Sequence, residues 1–115
     1  MNFESGSSID RMTLDEIDTT VQELRIEPHH RAFVKGLAHV VSALGEIPDT
    51  PPQSFTTESM VRLRQLADEA VDAVEGRLES GGDSEPEQQH LAGTIYEIRR
   101  RMETIELWFR HRESA

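Results

Sequence analysis

The stretch "GGDSEPEQQH" (81–90) lies between two long runs of helical periodicity, and how it is read decides the fold. Glycines after Ser80 stop a helix, because glycine takes the left-handed conformation that closes a helix end without strain. The chain then restarts at once. Ser84 followed by Glu87 is a capping box, in which each side chain satisfies an N–H that the first helical turn leaves without a partner. Pro86 suits that turn, since its missing N–H costs nothing there. A stop and a start so close together predict a helical hairpin.

Upstream, "TTES" offers Thr56 or Thr57 as the cap of a helix running to about Ser80. Met60, Leu63, Ala67, Ala70, Val71, Val74 and Leu78 recur at helical spacing, and the alanines imply a close helix neighbour. Asp68, Asp72, Glu75 and Glu79 form an acidic outer stripe on that helix. Downstream, Leu91, Ile95, Ile98, Met102, Ile105 and Phe109 make a long apolar seam of alternating four- and three-residue steps. Glu97 with Arg101, and Glu106 with Arg110, are spaced to pair along the same helix.

The amino-terminal half predicts a shorter pair of helices, without an evident sequence repeat between the halves. "TLDE" (13–16) is another capping box, opening a helix whose inward positions are Leu14, Ile17, Val21 and Leu24. That helix should end near Ile26, because residues before Pro28 avoid the α region. A second helix is expected from Pro28, with Phe33, Val34, Leu37, Val40, Val41 and Leu44 inward. Arg31, Lys35, His39, Ser42 and Glu46 line its outer side, and Gly45 and Pro48 end it. "PDTPPQSF" (48–55) then reads as a stiff, proline-rich connection.

No stretch alternates apolar and polar residues as a half-buried strand would, and no Asn-Gly turn occurs. The expected fold is therefore all-α, an antiparallel four-helix bundle made of a short helical hairpin, a proline-rich linker and a longer hairpin. Residues 13–112 form its single domain. A flexible amino-terminal segment (1–12) and a short carboxy-terminal tail (113–115) are expected to flank it.

A chain of 115 residues with 36% apolar content suits one small globular domain. No apolar run approaches the roughly 20 residues that a membrane helix needs. The amino terminus "MNFESGSSID" lacks a basic region followed by an apolar one, so a signal peptide is not expected. There is no cysteine, which excludes disulfides and thiolate metal ligands. A cytoplasmic location is the simplest expectation.

The net charge of −10 is unevenly spread. Residues 58–98 carry ten acidic side chains against three basic ones, whereas residues 99–115 carry five arginines against three glutamates. The acidic bulk opposes non-specific nucleic-acid binding.

Two stretches place Glu three residues before His beside a proline: Glu27 with His30, and Glu87 with His90. In a helical bundle such pairs supply half of a di-metal site, and the other two helices must each add an inward Glu. Here Asp68, Glu69, Asp72, Glu75 and Glu79 point away from the apolar arc of their helix, as Glu16 and Glu23 do from theirs. Glu87 shares the azimuth of its seam, while His90 lies about 100° from it. His30 falls within the apolar arc, while Glu27 precedes Pro28. Glu27 and Glu87 thus read as first-turn acids that complement the helix dipole. No metal or cofactor is expected, and a metal-binding bundle ranks third among the readings. His29 and His30 could hold an adventitious ion, but solvated histidines are the simpler reading, as they are for His39 and His111.

No nucleophile elbow, phosphate-binding glycine loop or zinc spacing is present, so no enzymatic activity is expected. The most informative stretch is "RRRMETIELWFRHR" (99–112), which holds five of the twelve basic residues and the single Trp. Met102, Ile105 and Phe109 belong to the core. Tyr96, Leu107 and Trp108 leave the seam and, with Arg101 and Arg110, make a candidate protein interface, since Tyr, Trp and Arg are enriched in binding hot spots. The alternative is a helical nucleic-acid-binding subunit, with Arg99, Arg100 and Arg101 gripping phosphates.

The expected function is that of a non-enzymatic, acidic protein-interaction module: an adaptor, an assembly subunit or an inhibitor of the antitoxin type. Self-association as a homodimer is expected. A basic partner would suit the Asp68, Asp72, Glu75 and Glu79 face.

Overall fold

The structure is a computed structural model and describes residues 14–46 and 56–114, all outside Glu27–His29 and Gly81–Ser84 being helical apart from Thr56. The expected amino-terminal segment, the Thr13 cap and the proline-rich connection lie outside the described residues. Four helices follow one another: α1 (Leu14–Ile26), α2 (His30–Glu46), α3 (Thr57–Ser80) and α4 (Glu85–Ser114). The chain is all-α, as the periodicity predicts.

The helix ends show local chemistry at work. Thr56 is extended (φ −85°, ψ 168°), and its hydroxyl accepts the Ser59 N–H at 3.1 Å, which starts α3. Gly81 closes α3 at φ 70°, where its N–H donates to the Leu78 carbonyl. Only glycine holds that backbone without cost. The α4 capping box forms in both directions, with the Ser84 N–H on Glu87 Oε1 at 2.8 Å and the Glu87 N–H on the Ser84 hydroxyl at 3.4 Å.

Two boundaries differ from expectation. Helix α2 begins at His30 rather than Pro28, because the His29 carbonyl accepts the first helical bond, from Phe33, and the Glu27 carboxylate accepts the His29 N–H. Helix α4 runs on to Ser114, past the expected end of the domain.

Around the bundle the order is α1, α2, α4, α3, each packing on its two neighbours. Each hairpin is antiparallel, and the two hairpins lie side by side in the same sense. Arg62 of α3 meets Asp15 at the start of α1, and Arg25 at its end meets Glu69 farther along α3. Likewise His30 of α2 lies beside Glu87, and Leu44 beside Arg101. Both tight turns therefore sit at one end of the molecule.

The core holds the predicted seams: Leu14, Ile17, Val21 and Leu24; Phe33, Leu37, Val40 and Leu44; Met60 to Val74; and Leu91 to Phe109. Ala43 and Leu66 join it, while Val34, Val41 and Leu78 only pack against its edge. Burying one such side chain contributes about 1.5–3 kcal/mol, so these rows are what hold the helices together. Gly36 lets α1 and α2 approach, since a Cβ there would stand 3.1 Å from Leu24 Cδ2. Among the described residues no helix is long and apolar enough to cross a membrane.

Helix lengths are unequal, and the site follows from this. At 1.5 Å per residue α4 spans about 45 Å and α2 only about 25 Å. The last turn of α2 lies abreast of Arg101, whose Nε donates to the Leu44 carbonyl at 3.2 Å. Beyond that level α4 continues without α2 beside it.

Candidate functional site

The side of α4 turned away from the core carries the predicted interface residues. Tyr96 is 67% exposed, Leu107 57% and Trp108 42%. By helical rotation Tyr96 and Leu107 stand within about 20° of one another, on the side opposite the Leu91–Phe109 seam. Trp108 lies on the flank towards α2, past the point where α2 ends, and meets the His111 ring edge-on with centroids 6.1 Å apart.

The arginines of this region do not act as one patch. Arg99 pairs with Glu75 of α3 at 3.5 Å, and Arg101 is turned to the Leu44 carbonyl on the other flank. Arg100 lies between them on the outer row, exposed. Glu106 is bonded by Arg64 of α3, an interaction that raises the Arg64 pKa. Ion pairs across helices, Arg64 with Glu106 and Arg99 with Glu75, thus tie α3 to α4.

The acidic stripe of α3 is exposed along its whole length. It is partly matched from within, since Arg64 lies 3.8 Å from Asp68 and Arg99 reaches Glu75.

At the turn end the structure makes a second cluster. His30 Nδ1 lies 2.9 Å from Asp83 Oδ1, and Nε2 lies 3.4 Å from Glu87 Oε2. Arg77 holds both oxygens of Asp83, at 3.2 and 3.3 Å, and donates from Nη1 to the Glu27 and Pro28 carbonyls, at 3.1 Å each. Its guanidinium stands 5.0 Å over the Phe33 ring. Asp83 is nearly sealed, its side chain 3% exposed. The hydrogen bonds from Arg77 hold its carboxyl below the usual carboxylate range against the opposing effect of burial. Glu87 is lowered first by the Ser84 N–H, and Glu27 by the His29 N–H.

One imidazole and two carboxylates within 4.8 Å are a donor set that a divalent ion can use. In this arrangement, however, the donors are already engaged. Arg77 holds both Asp83 oxygens, and the Ser84 N–H holds one Glu87 oxygen. The two His30 nitrogens face two different carboxylates, whereas one ion takes a single ring nitrogen. His30 Nδ1 is buried and not in line for a hydrogen bond with Asp83 despite their closeness. As built, the cluster is an ionic clasp that ties the turn between α1 and α2 to the turn between α3 and α4.

Sequence reading weighed each Glu-x-x-His stretch on its own helix and so missed this meeting. His30 of the first stretch joins Glu87 of the second. The signal was present in their azimuths, since both were inward-facing at helix starts. An open groove of about 550 Å³ adjoins the clasp, between Leu24 and Pro28 on one wall and Gly76 and Arg77 on the other. Fold and surface together define a small helical bundle whose longest described helix exposes Tyr96, Leu107 and Trp108. No protein family matches the chain, and neither does any curated protein or solved structure.

Proposed function

We propose that the protein is a non-enzymatic interaction module that binds another protein through the outer face of α4. The observation that carries this is the placing of Tyr96, Leu107 and Trp108, three large side chains exposed on one helix and flanked by arginines. Side chains of this kind anchor protein interfaces when they are removed from water. The acidic stripe of α3, on the neighbouring helix, would steer a basic partner by long-range attraction.

The nucleic-acid alternative is weaker. Arg99 and Arg101 are turned to opposite flanks and engaged with Glu75 and Leu44, so the triplet does not present one grip for phosphates. Gel shifts near physiological salt are expected to show no binding. A shift abolished by Arg99→Glu, Arg100→Glu and Arg101→Glu together would reverse that judgement.

A photo-crosslinking residue tests the main reading in cells. Placed at Leu107 it is expected to give a discrete protein adduct, while at Glu23, exposed on α1, it is expected to give none. Equal labelling from both positions, or none from Leu107, would overturn it.

A further inference from the structure

The outer row of α4 is Gln89, Ala92, Gly93, Tyr96, Arg100, Glu103 and Leu107, all of them exposed. Four of its residues, Tyr96, Arg100, Glu103 and Leu107, are arranged symmetrically about the peptide bond between Arg101 and Met102. Tyr96 stands five residues before Arg101, and Leu107 five residues after Met102. Arg100 and Glu103 are the immediate neighbours on either side. Gly93 stands eight residues before and Arg110 eight residues after.

We infer that this face binds a second copy of the chain, α4 against α4 in antiparallel register, with a twofold axis beside the Arg101–Met102 bond. The inference rests on the interaction-module reading and names the partner of the α4 face alone. A twofold interface places one patch against itself, so a residue on one side of the axis meets its mirror position on the other copy. In this register each Tyr96 covers the partner copy's Leu107, and each Arg100 faces a Glu103. The long Arg110 falls opposite Gly93, where there is no side chain to obstruct it.

Charge decides the direction. A parallel pairing would set Arg100 on Arg100 and Glu103 on Glu103, like charges side by side. The antiparallel pairing turns both contacts into attractions. Neither Arg100 nor Glu103 has an ion pair with the described residues, so both remain available. Both outward apolar residues are covered in the same step, which a shift in register would undo.

The test uses the purified full chain on size-exclusion chromatography with light scattering, over a range of concentrations. Wild type is expected to be a dimer at high concentration. Arg100→Glu alone and Glu103→Arg alone each turn two attractions into repulsions, and each is expected to weaken the dimer about tenfold. Mixing the two variants in equal amounts is expected to restore it, because both contacts between unlike chains are then attractive. Since the chain has no cysteine, Tyr96→Cys mixed with Leu107→Cys should form a disulfide between chains under mild oxidation, more readily than either variant alone. Circular dichroism checks that each exposed substitution leaves the helices intact.

A wild type that stays monomeric at every concentration overturns the inference. If crosslinking from Leu107 still captures a different protein, the interaction-module reading stands without it. A dimer that ignores both charge reversals, or that mixing does not restore, overturns the register and with it this pairing.

Discussion

Asp83 shows how one buried residue can hold two loops. Its carboxylate takes two bonds from Arg77, which also reaches the backbone carbonyls of Glu27 and Pro28. Because Asp83, Glu87 and Glu27 are all lowered in the folded protein, their stabilisation is full above the ordinary carboxylate range. It is lost as pH falls through the lowered values. Asp83→Asn is therefore expected to lose about 2 kcal/mol near neutrality, as for other hydrogen bonds to charged groups, and less in strong acid. Urea unfolding at neutral and acid pH measures the difference; an unchanged gap between variant and wild type across that range would refute it. Two glycines should respond in opposite ways. Gly76 is inside α3 with open space around it, so Gly76→Ala should stabilise by about 0.5–1 kcal/mol. Gly81→Ala should destabilise by about 1 kcal/mol, because its φ of 70° disfavours any Cβ.

Helix α4 gathers a cap, a core seam and a bare face on one element. Ser84→Ala removes the hydroxyl that accepts the Glu87 N–H and should cost about 1 kcal/mol. Glu87→Gln keeps the reach back to Ser84 but removes the charge beside His30, so it separates capping from the clasp. Ile105 is fully buried in the seam, and Ile105→Ala should cost about 2–5 kcal/mol through the cavity it leaves. Thermal unfolding ranks these variants. The seam substitution should cost most, and a cap substitution that cost as much would mean that the start of α4 bears more on the core than its exposure suggests.

Across the whole molecule the arginines of α4 gather at Arg99–Arg101, beside the proposed twofold axis, with Arg110 and Arg112 farther along. The antiparallel pairing brings each Arg100 to a Glu103 near that axis. Such contacts between surface charges are screened by salt, while Tyr96 on Leu107 is not. Raising the salt should therefore weaken the dimer only severalfold. A collapse of the dimer by orders of magnitude would show that charge, and not the apolar pair, dominates the contact.

The sequence by itself determined the four helices, most of their ends and nearly all of the core. Those follow from local causes: caps at Thr56 and Ser84, a glycine stop at Gly81, and apolar residues at helical spacing. The exposed face of Tyr96, Leu107 and Trp108 was legible for the same reason, since azimuth on one helix needs no knowledge of the others. Only the tertiary structure decided what meets across helices. It put both turns at one end, joining His30 to Asp83 and Glu87, which lie more than fifty residues away in sequence. It joined Glu106 to Arg64 and Arg101 to the Leu44 carbonyl, contacts that spacing along one helix cannot reveal. Local rules act over one turn of helix, whereas the order and direction of packing depend on how whole hydrophobic faces fit together.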